Sequence, residues 1–141
     1  MTLADLESHA STEAVELARA ILEQDVNDRM WADQVGPALA QRDVARLLAK
    51  TEQAVSKDPR LIRLRNRDGR PVYPLCQFDG RSVVTGVGEV AVILAQATTP
   101  AAALAWLTGT HPALGARPVD VLRAGGVAAV VEAAQRYVAH H

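Results

Sequence analysis

One cysteine, Cys76, stands among the 141 residues, which excludes an internal disulfide and leaves no cysteine pair for a metal. Lying between Leu75 and Phe78, it reads as a small buried hydrophobe, because a nucleophilic thiol needs an activating base or cation that the sequence does not place beside it. Aromatic residues make up only 4% of a chain that is 49% hydrophobic. The core must therefore be built from Ala, Val and Leu, a composition that favours closely packed helices. No run approaches the roughly 20 apolar residues of a membrane span, and the N-terminus lacks a basic region followed by an apolar one. These absences predict a cytoplasmic protein without membrane contact. No Gly-rich phosphate loop, paired carboxylates, Ser-His-Asp set or Cys-His set occurs at a usable spacing. Three of the four histidines, His9, His140 and His141, lie near the chain ends, and only His111 does not. The terminal pair reads as a frayed or added tail rather than a metal site. The expectation is a protein that is not an enzyme and holds no cofactor and no metal.

What the chain does have is an uneven distribution of charge. From Arg42 to Arg70 nine basic residues face four acidic ones, a local balance of +5, whereas residues 1–41 carry −6 and the remainder is neutral. The basic stretch also has an order of elements. Val44, Leu47 and Leu48 recur at helical spacing, the pattern breaks at Ala49-Lys50, and Thr51 is a good N-cap for a second short helix over about Glu52–Lys57. In that helix Ala54 and Val55 are the expected apolar contacts, leaving Glu52, Gln53, Ser56 and Lys57 on the outward face. Pro59 closes it. Apolar and basic residues then alternate in LIRLR, predicting a strand over Ile62–Arg65, and Asp68-Gly69 supplies positive φ angles for a tight hairpin turn before Pro71-Val72-Tyr73. Two helices and an arginine-laden hairpin form the plan of a winged helix-turn-helix. Phosphate contacts from Arg and Lys supply most non-specific DNA affinity, so a basic segment that coincides with this pattern predicts DNA binding. The residues assigned to it are Thr51, Gln53, Ser56 and Lys57 in the second helix and Arg63, Arg65, Arg67 and Arg70 in the hairpin. The competing reading is a solvated hairpin in a protein that never meets DNA.

On either side the chain reads as helical. Val15, Ala18, Ile21, Leu22, Val26, Met30 and Val35 recur at three- and four-residue steps, describing a long amphipathic helix over about Thr12–Val35 that Gly36-Pro37 stops. Its apolar stripe would cover either a second copy of the chain, making a homodimer, or the C-terminal half of its own chain. After a turn at Phe78-Asp79-Gly80-Arg81, the run Glu89–Gln96 fits a helix or a buried strand, with a helix favoured by its alanine-rich surroundings. Thr99-Pro100 opens another helix, Arg117-Pro118 introduces a short one, and Gly125-Gly126 precedes a last helix from Val127 to about Val138. The fold class is thus mainly α with a small β-hairpin: a long N-terminal helix, a winged centre and a C-terminal helical bundle, divided as residues 1–78 and 79–141.

Trp106-Leu107 followed by His111-Pro112-Ala113-Leu114-Gly115 and Arg117-Pro118-Val119-Asp120 resembles the toxin-binding domain of the Xre/MbcA/ParS-like antitoxins. The likeness covers about the last 60 residues. Physically, Pro112, Gly115 and Pro118 fix a turn, Leu114 and Leu122 plug it into the core, and Asp120 sits where a carboxylate can bond exposed helix N–H groups. The resemblance implies an antitoxin of a type II toxin–antitoxin pair. Such a protein blocks a toxin, often a RES-domain protein that consumes NAD, through its C-terminal domain and represses its own operator through its N-terminal one. Carried to this chain, it assigns Trp106, Leu114, Arg117, Arg123 and Tyr137 to the toxin. Two departures stand out: the family's N-terminal half is commonly all-helical, whereas Arg60–Phe78 looks like the helix-turn-helix plus hairpin of excisionase or MerR-like proteins, and His111 replaces the usual Asn or Asp. The alternatives are a stand-alone regulator or excisionase-like DNA-binding protein without a toxin, and a module whose basic hairpin binds an acidic protein.

Overall fold

The computed structural model describes residues 37–141, together with Val15, which is helical. The long helix expected over Thr12–Val35, and the dimer contact assigned to it, lie outside the described residues. Residues 35–141 form one compact unit. Among the described residues six helices and five short strands follow one another, and no helix is long and apolar enough to cross a membrane.

Strand β1 (Ala38–Ala40) leads into helix α1 (Gln41–Leu48), and α2 (Glu52–Lys57) follows after a three-residue turn. Ala49 makes that turn with φ 55° and ψ 46°, and its N–H and that of Lys50 close the last turn of α1 onto Arg46 and Ala45. Thr51 caps α2 as expected, its Oγ1 accepting from the Ala54 N–H at 3.0 Å. Six residues cannot hold a helix alone, and α2 is anchored by Val55, which is fully buried against Val44, Ala45, Leu61, Tyr73 and Phe78. Ala54, expected beside it, is exposed. On so short a helix one apolar position suffices to face the core.

Strand β2 (Leu64–Arg65) and β3 (Pro71–Pro74) form the expected hairpin, but the sheet has a third member. β1 pairs antiparallel with the far side of β3, giving the order β1-β3-β2, with Leu39 opposite Tyr73 and Leu64 opposite Val72. The segment Pro37–Ala40 has no β-branched residue to advertise a strand, and its conformation comes from pairing with β3. β2 is two residues shorter than the period-two pattern suggested, because Ile62 bonds to a side chain rather than a strand. The buried amide of Gln77, 1% exposed, accepts from the Ile62 N–H through Oε1 at 2.9 Å and donates from Nε2 to the Ile62 carbonyl, also at 2.9 Å. It stands in for a strand neighbour and satisfies both backbone groups.

The turn of the hairpin also differs from expectation. Only Gly69 has positive φ (76°), Asp68 does not, and the Gly69 N–H bonds to the Asn66 carbonyl. The loop is therefore a type I turn closed by a left-handed glycine, the three-residue hairpin. Asn66 supports it: its Oδ1 accepts from the N–H groups of both Asp68 and Arg70 at 3.0 Å.

After one turn of 3-10 helix (Leu75–Gln77), β4 (Phe78–Asp79) and β5 (Ser82–Val83) make a second, minimal hairpin around Gly80, where the sequence showed only a turn. Helices α3 (Val87–Leu94), α4 (Pro100–Thr108), α5 (Pro118–Arg123) and α6 (Val127–Ala139) follow close to their expected positions, α4 capped by Thr99 with Pro100 in its first turn. The run from Glu89 is thus helical. Val87, Val90, Leu94, Leu104, Leu107, Val119, Leu122 and Val130 are buried, a core of small aliphatic side chains as the composition required. Close approach between α3 and α5–α6 depends on Gly86, where a Cβ would lie 2.8 Å from Leu122 Cδ2.

Links also cross the sequence position 78/79. Arg123 Nη2 of α5 donates to the carbonyls of Cys76 at 2.6 Å and Phe78 at 3.1 Å. The side chain of Arg60 lies against Gly88, where a Cβ would meet its Nε at 2.8 Å.

Candidate nucleic-acid interface

The basic side chains assigned to DNA divide into those built into the scaffold and those that project. Arg63 precedes β2, and its Nη1 donates to the Ser56 carbonyl in the last turn of α2. Its charge acts on the phenol of Tyr73 on β3, and the Tyr73 hydroxyl donates to Gln41 Oε1 at 3.1 Å. Burial pushes the Tyr73 pKa up, with the Arg63 charge opposing that shift. One arginine thus connects α2 to the sheet, and a tyrosine connects the sheet to the start of α1. Arg65 follows two residues on, so both project from the face opposite buried Leu64. Its Nη1 donates to the Gly69 carbonyl at 2.8 Å, which holds the guanidinium along the hairpin. Arg67 and Arg70 are exposed in or beside the loop.

On α2 the Thr51 hydroxyl is occupied by capping, and the half-buried Ser56 hydroxyl donates to the Gln53 carbonyl at 3.1 Å. The cap at Thr51 was expected, and the internal use of Ser56 was not. Glu52, Gln53 and Lys57 are exposed. On α1, Arg42 and Arg46 are exposed as well, and Lys50 Nζ lies 4.0 Å from Asp58 Oδ2. The resulting surface offers amide and ammonium groups on a helix and guanidinium groups on a hairpin whose turn is fixed by Asn66. Such groups can bond phosphate oxygens and base edges.

Of the residues assigned to a toxin, the two arginines bond within the chain. Arg123, although exposed, donates to the Cys76 and Phe78 carbonyls. Arg117 is held by Asp120 through two bonds, Nε to Oδ2 at 2.7 Å and Nη2 to Oδ1 at 2.9 Å. The bonded guanidinium lowers the Asp120 pKa, and the carboxylate raises that of Arg117. Asp120 therefore takes an arginine side chain where helix N–H groups had been expected. Leu114 is half-buried rather than sealed in the core, while Leu122 is buried.

Trp106 and Tyr137 do come together, with ring centroids 6.3 Å apart. The row continues at both ends: His111 meets Trp106 edge-on at 5.6 Å, and His141 stacks on Tyr137 at 4.0 Å. His141 is thus packed rather than frayed. His111 Nδ1 accepts from the Ala113 N–H at 3.2 Å, performing the loop-capping task of an Asn or Asp. Cys76 is half-buried, and burial raises its thiol pKa. No group of three or more His, Cys, Asp or Glu among the described residues is placed to hold a metal.

Sequence reasoning missed Gln77, Tyr73 and Gln41. Gln77 had a signal, a lone amide inside the otherwise apolar run Leu75-Cys76-Gln77-Phe78; the tie between Tyr73 and Gln41, 32 positions apart, had none.

No family model matches the chain, and no curated protein matches it. Among solved structures it is similar to the NMR structure of Rv2175c, with a TM-score of 0.62 and 27% sequence identity, over 72% of this chain and 81% of that one.

Proposed function

We propose that residues 38–74 are a winged helix-turn-helix and that the protein binds double-stranded DNA with them, α2 reading the major groove and the β2–β3 hairpin gripping the backbone. A three-residue turn between α1 and α2 with a left-handed residue in it fits this reading. The observation that carries it is the bond from Arg63 to the Ser56 carbonyl. It fastens the hairpin to the end of α2, so that exposed Gln53 and Lys57 are presented together with Arg65 and Arg70 as one rigid unit. Gln53, in the first turn of α2, is the base-reading candidate, because an amide can pair with the N6 and N7 positions of adenine. Lys57, Arg65, Arg67 and Arg70 serve as phosphate contacts. Selection of bound fragments from a random duplex pool tests this. The parent protein should enrich a defined sequence, and Gln53→Ala should lose preference at one position at a cost of about 1–3 kcal/mol there. Recovery of no fragments above background at low salt would refute the reading.

The antitoxin role is a second proposal, favoured by the half-exposed row of Trp106 and Tyr137. In it that row, with Leu114 and Arg117, receives a RES-type, NAD-consuming toxin, and the DNA-binding half represses the shared promoter as a homodimer. Co-expression with the neighbouring reading frame separates the two proposals. Rescue of growth and a stable complex support the antitoxin; absence of both leaves a stand-alone regulator.

A further inference from the structure

A cavity of about 270 Å³ lies between the C-terminal end of α2 and the facing parts of α3 and α4. Its floor is apolar. Leu61 and Ile62 come from the segment before β2, and Ala91 and Ala103 from α3 and α4, whose short side chains leave the space open. The rim is polar and unequally charged, with Lys57 and Arg63 as two cations against one acid, Asp58. Asp58 is already engaged: Oδ1 accepts from the Arg60 N–H at 2.9 Å and Oδ2 lies 4.0 Å from Lys50 Nζ. Positive charge at the mouth is therefore left without a matching carboxylate, above a floor that gains from covering by an apolar group. Cavities that hold drug-sized ligands run from roughly 300 to 1,000 Å³, so the occupant is small. An inorganic anion would leave the floor wet, and a neutral hydrophobe would leave the cations unused.

We propose that this cavity binds a small organic monocarboxylate, its aliphatic or aromatic body on the Leu61–Ala103 floor and its carboxylate between Lys57 and Arg63, and that occupancy weakens DNA binding. The second half rests on the DNA reading given above. Arg63 holds the Ser56 carbonyl and thereby the last turn of α2. A carboxylate is a stronger acceptor for a guanidinium than a carbonyl is, so the ligand draws Arg63 away from α2 and takes Lys57 from the phosphates.

Hexanoate is a suitable probe, with hexanamide and inorganic phosphate as controls, followed by calorimetric titration of the full chain. Hexanoate should bind saturably, about tenfold or more tightly than hexanamide, and phosphate should give no saturable heat. At ten times its Kd it should raise Tm by about 5 °C or more. Ala95→Phe, which fills the cavity from an exposed position, and Thr99→Asp, which keeps the cap of α4 but adds a negative charge at the rim, should each abolish binding. Both should leave acid-free DNA affinity at the parent value. The assignment is overturned if hexanoate gives no saturable heat at 10 mM, if hexanamide binds equally well, or if both variants bind hexanoate like the parent. A DNA titration unmoved by saturating hexanoate overturns the coupling alone. Absence of DNA binding altogether refutes the earlier reading, and saturable hexanoate binding would then still stand for the cavity.

Discussion

The side-chain amide of Gln77 forms two hydrogen bonds of 2.9 Å with the backbone of Ile62, one in each direction, fifteen residues away and out of contact with water. This pair holds the segment between α2 and the hairpin, and it makes Gln77 the most consequential polar residue of the core. Gln77→Ala leaves a buried N–H and a buried carbonyl without partners, at about 1–3 kcal/mol for each. Urea unfolding should show a loss of about 2–5 kcal/mol. Gln77→Glu keeps an acceptor for the N–H but forfeits the donor and buries a charge, and it should be no better than Ala. A loss below about 1 kcal/mol for Gln77→Ala would show that the amide is dispensable.

Ala49 occupies the left-handed region at φ 55° in the turn between α1 and α2, and it is exposed. A side chain there costs about 1–2 kcal/mol that glycine does not incur, offset in part by the greater freedom of glycine in the unfolded chain. Ala49→Gly should therefore raise stability by about 0.5–1 kcal/mol, read as a higher denaturation midpoint with unchanged m-value. Ala49→Val, β-branched, should lower it. Equal midpoints for all three proteins would mean that the turn is not held in this conformation.

Tyr73 gives the protein an alkaline limit. Burial raises its pKa in the folded state above 10.0, so the folded protein retains a proton that the unfolded chain gives up. The resulting stability is fully present below pH 10 and is lost as pH rises through the folded pKa. Cys76 acts in the same sense from pH 9.0 upward. Denaturation midpoints measured from pH 8 to 11 should fall towards the alkaline end. Tyr73→Phe, which cannot ionise, should show a shallower fall, even though loss of the bond to Gln41 lowers its stability at pH 8. Parallel pH profiles for the two proteins would contradict the assignment.

Much of this arrangement was legible before any coordinates. Thr51 and Thr99 announced their caps because a hydroxyl at the start of an apolar-periodic run has one obvious use, and Pro100 and Pro118 marked helix starts by the donor they lack. Hydrophobic period fixed α1, while Thr99-Pro100 and Gly125-Gly126 marked the starts of α4 and α6. What stayed hidden is what depends on partners distant in sequence. β1 is a strand only because β3 lies beside it, and β2 stops at Leu64 because Gln77 takes the place of a neighbour. Arg63 and Arg123 illustrate the limit for function. Each looked like an outward cation, yet each guanidinium is bonded to backbone carbonyls elsewhere in the fold, and residue type alone cannot distinguish a guanidinium that binds a partner from one that braces its own chain.

Arg63 and Arg70 accordingly play different parts in the DNA reading. Arg63 is a positioning residue, and Arg63→Ala should weaken DNA binding and also lower stability by about 1–2 kcal/mol through the lost charged hydrogen bond. Arg70→Ala should weaken DNA binding to a similar degree with stability within about 0.5 kcal/mol of the parent. Thermal melts beside anisotropy titrations separate the two. Identical melts for both variants would place Arg63 among the simple surface cations.

The dependence of DNA affinity on salt tests the central claim most directly. Fluorescence anisotropy of a labelled duplex, titrated between 50 and 300 mM salt, gives log K against log salt concentration, whose slope counts phosphate contacts at about 0.9 each. The parent should show a steep line, and Lys57→Ala with Arg65→Ala and Arg70→Ala in one chain should flatten it by about 2–3 while the protein remains folded. Binding that ignores salt, or a triple variant with the slope of the parent, would contradict DNA recognition by α2 and the β2–β3 hairpin.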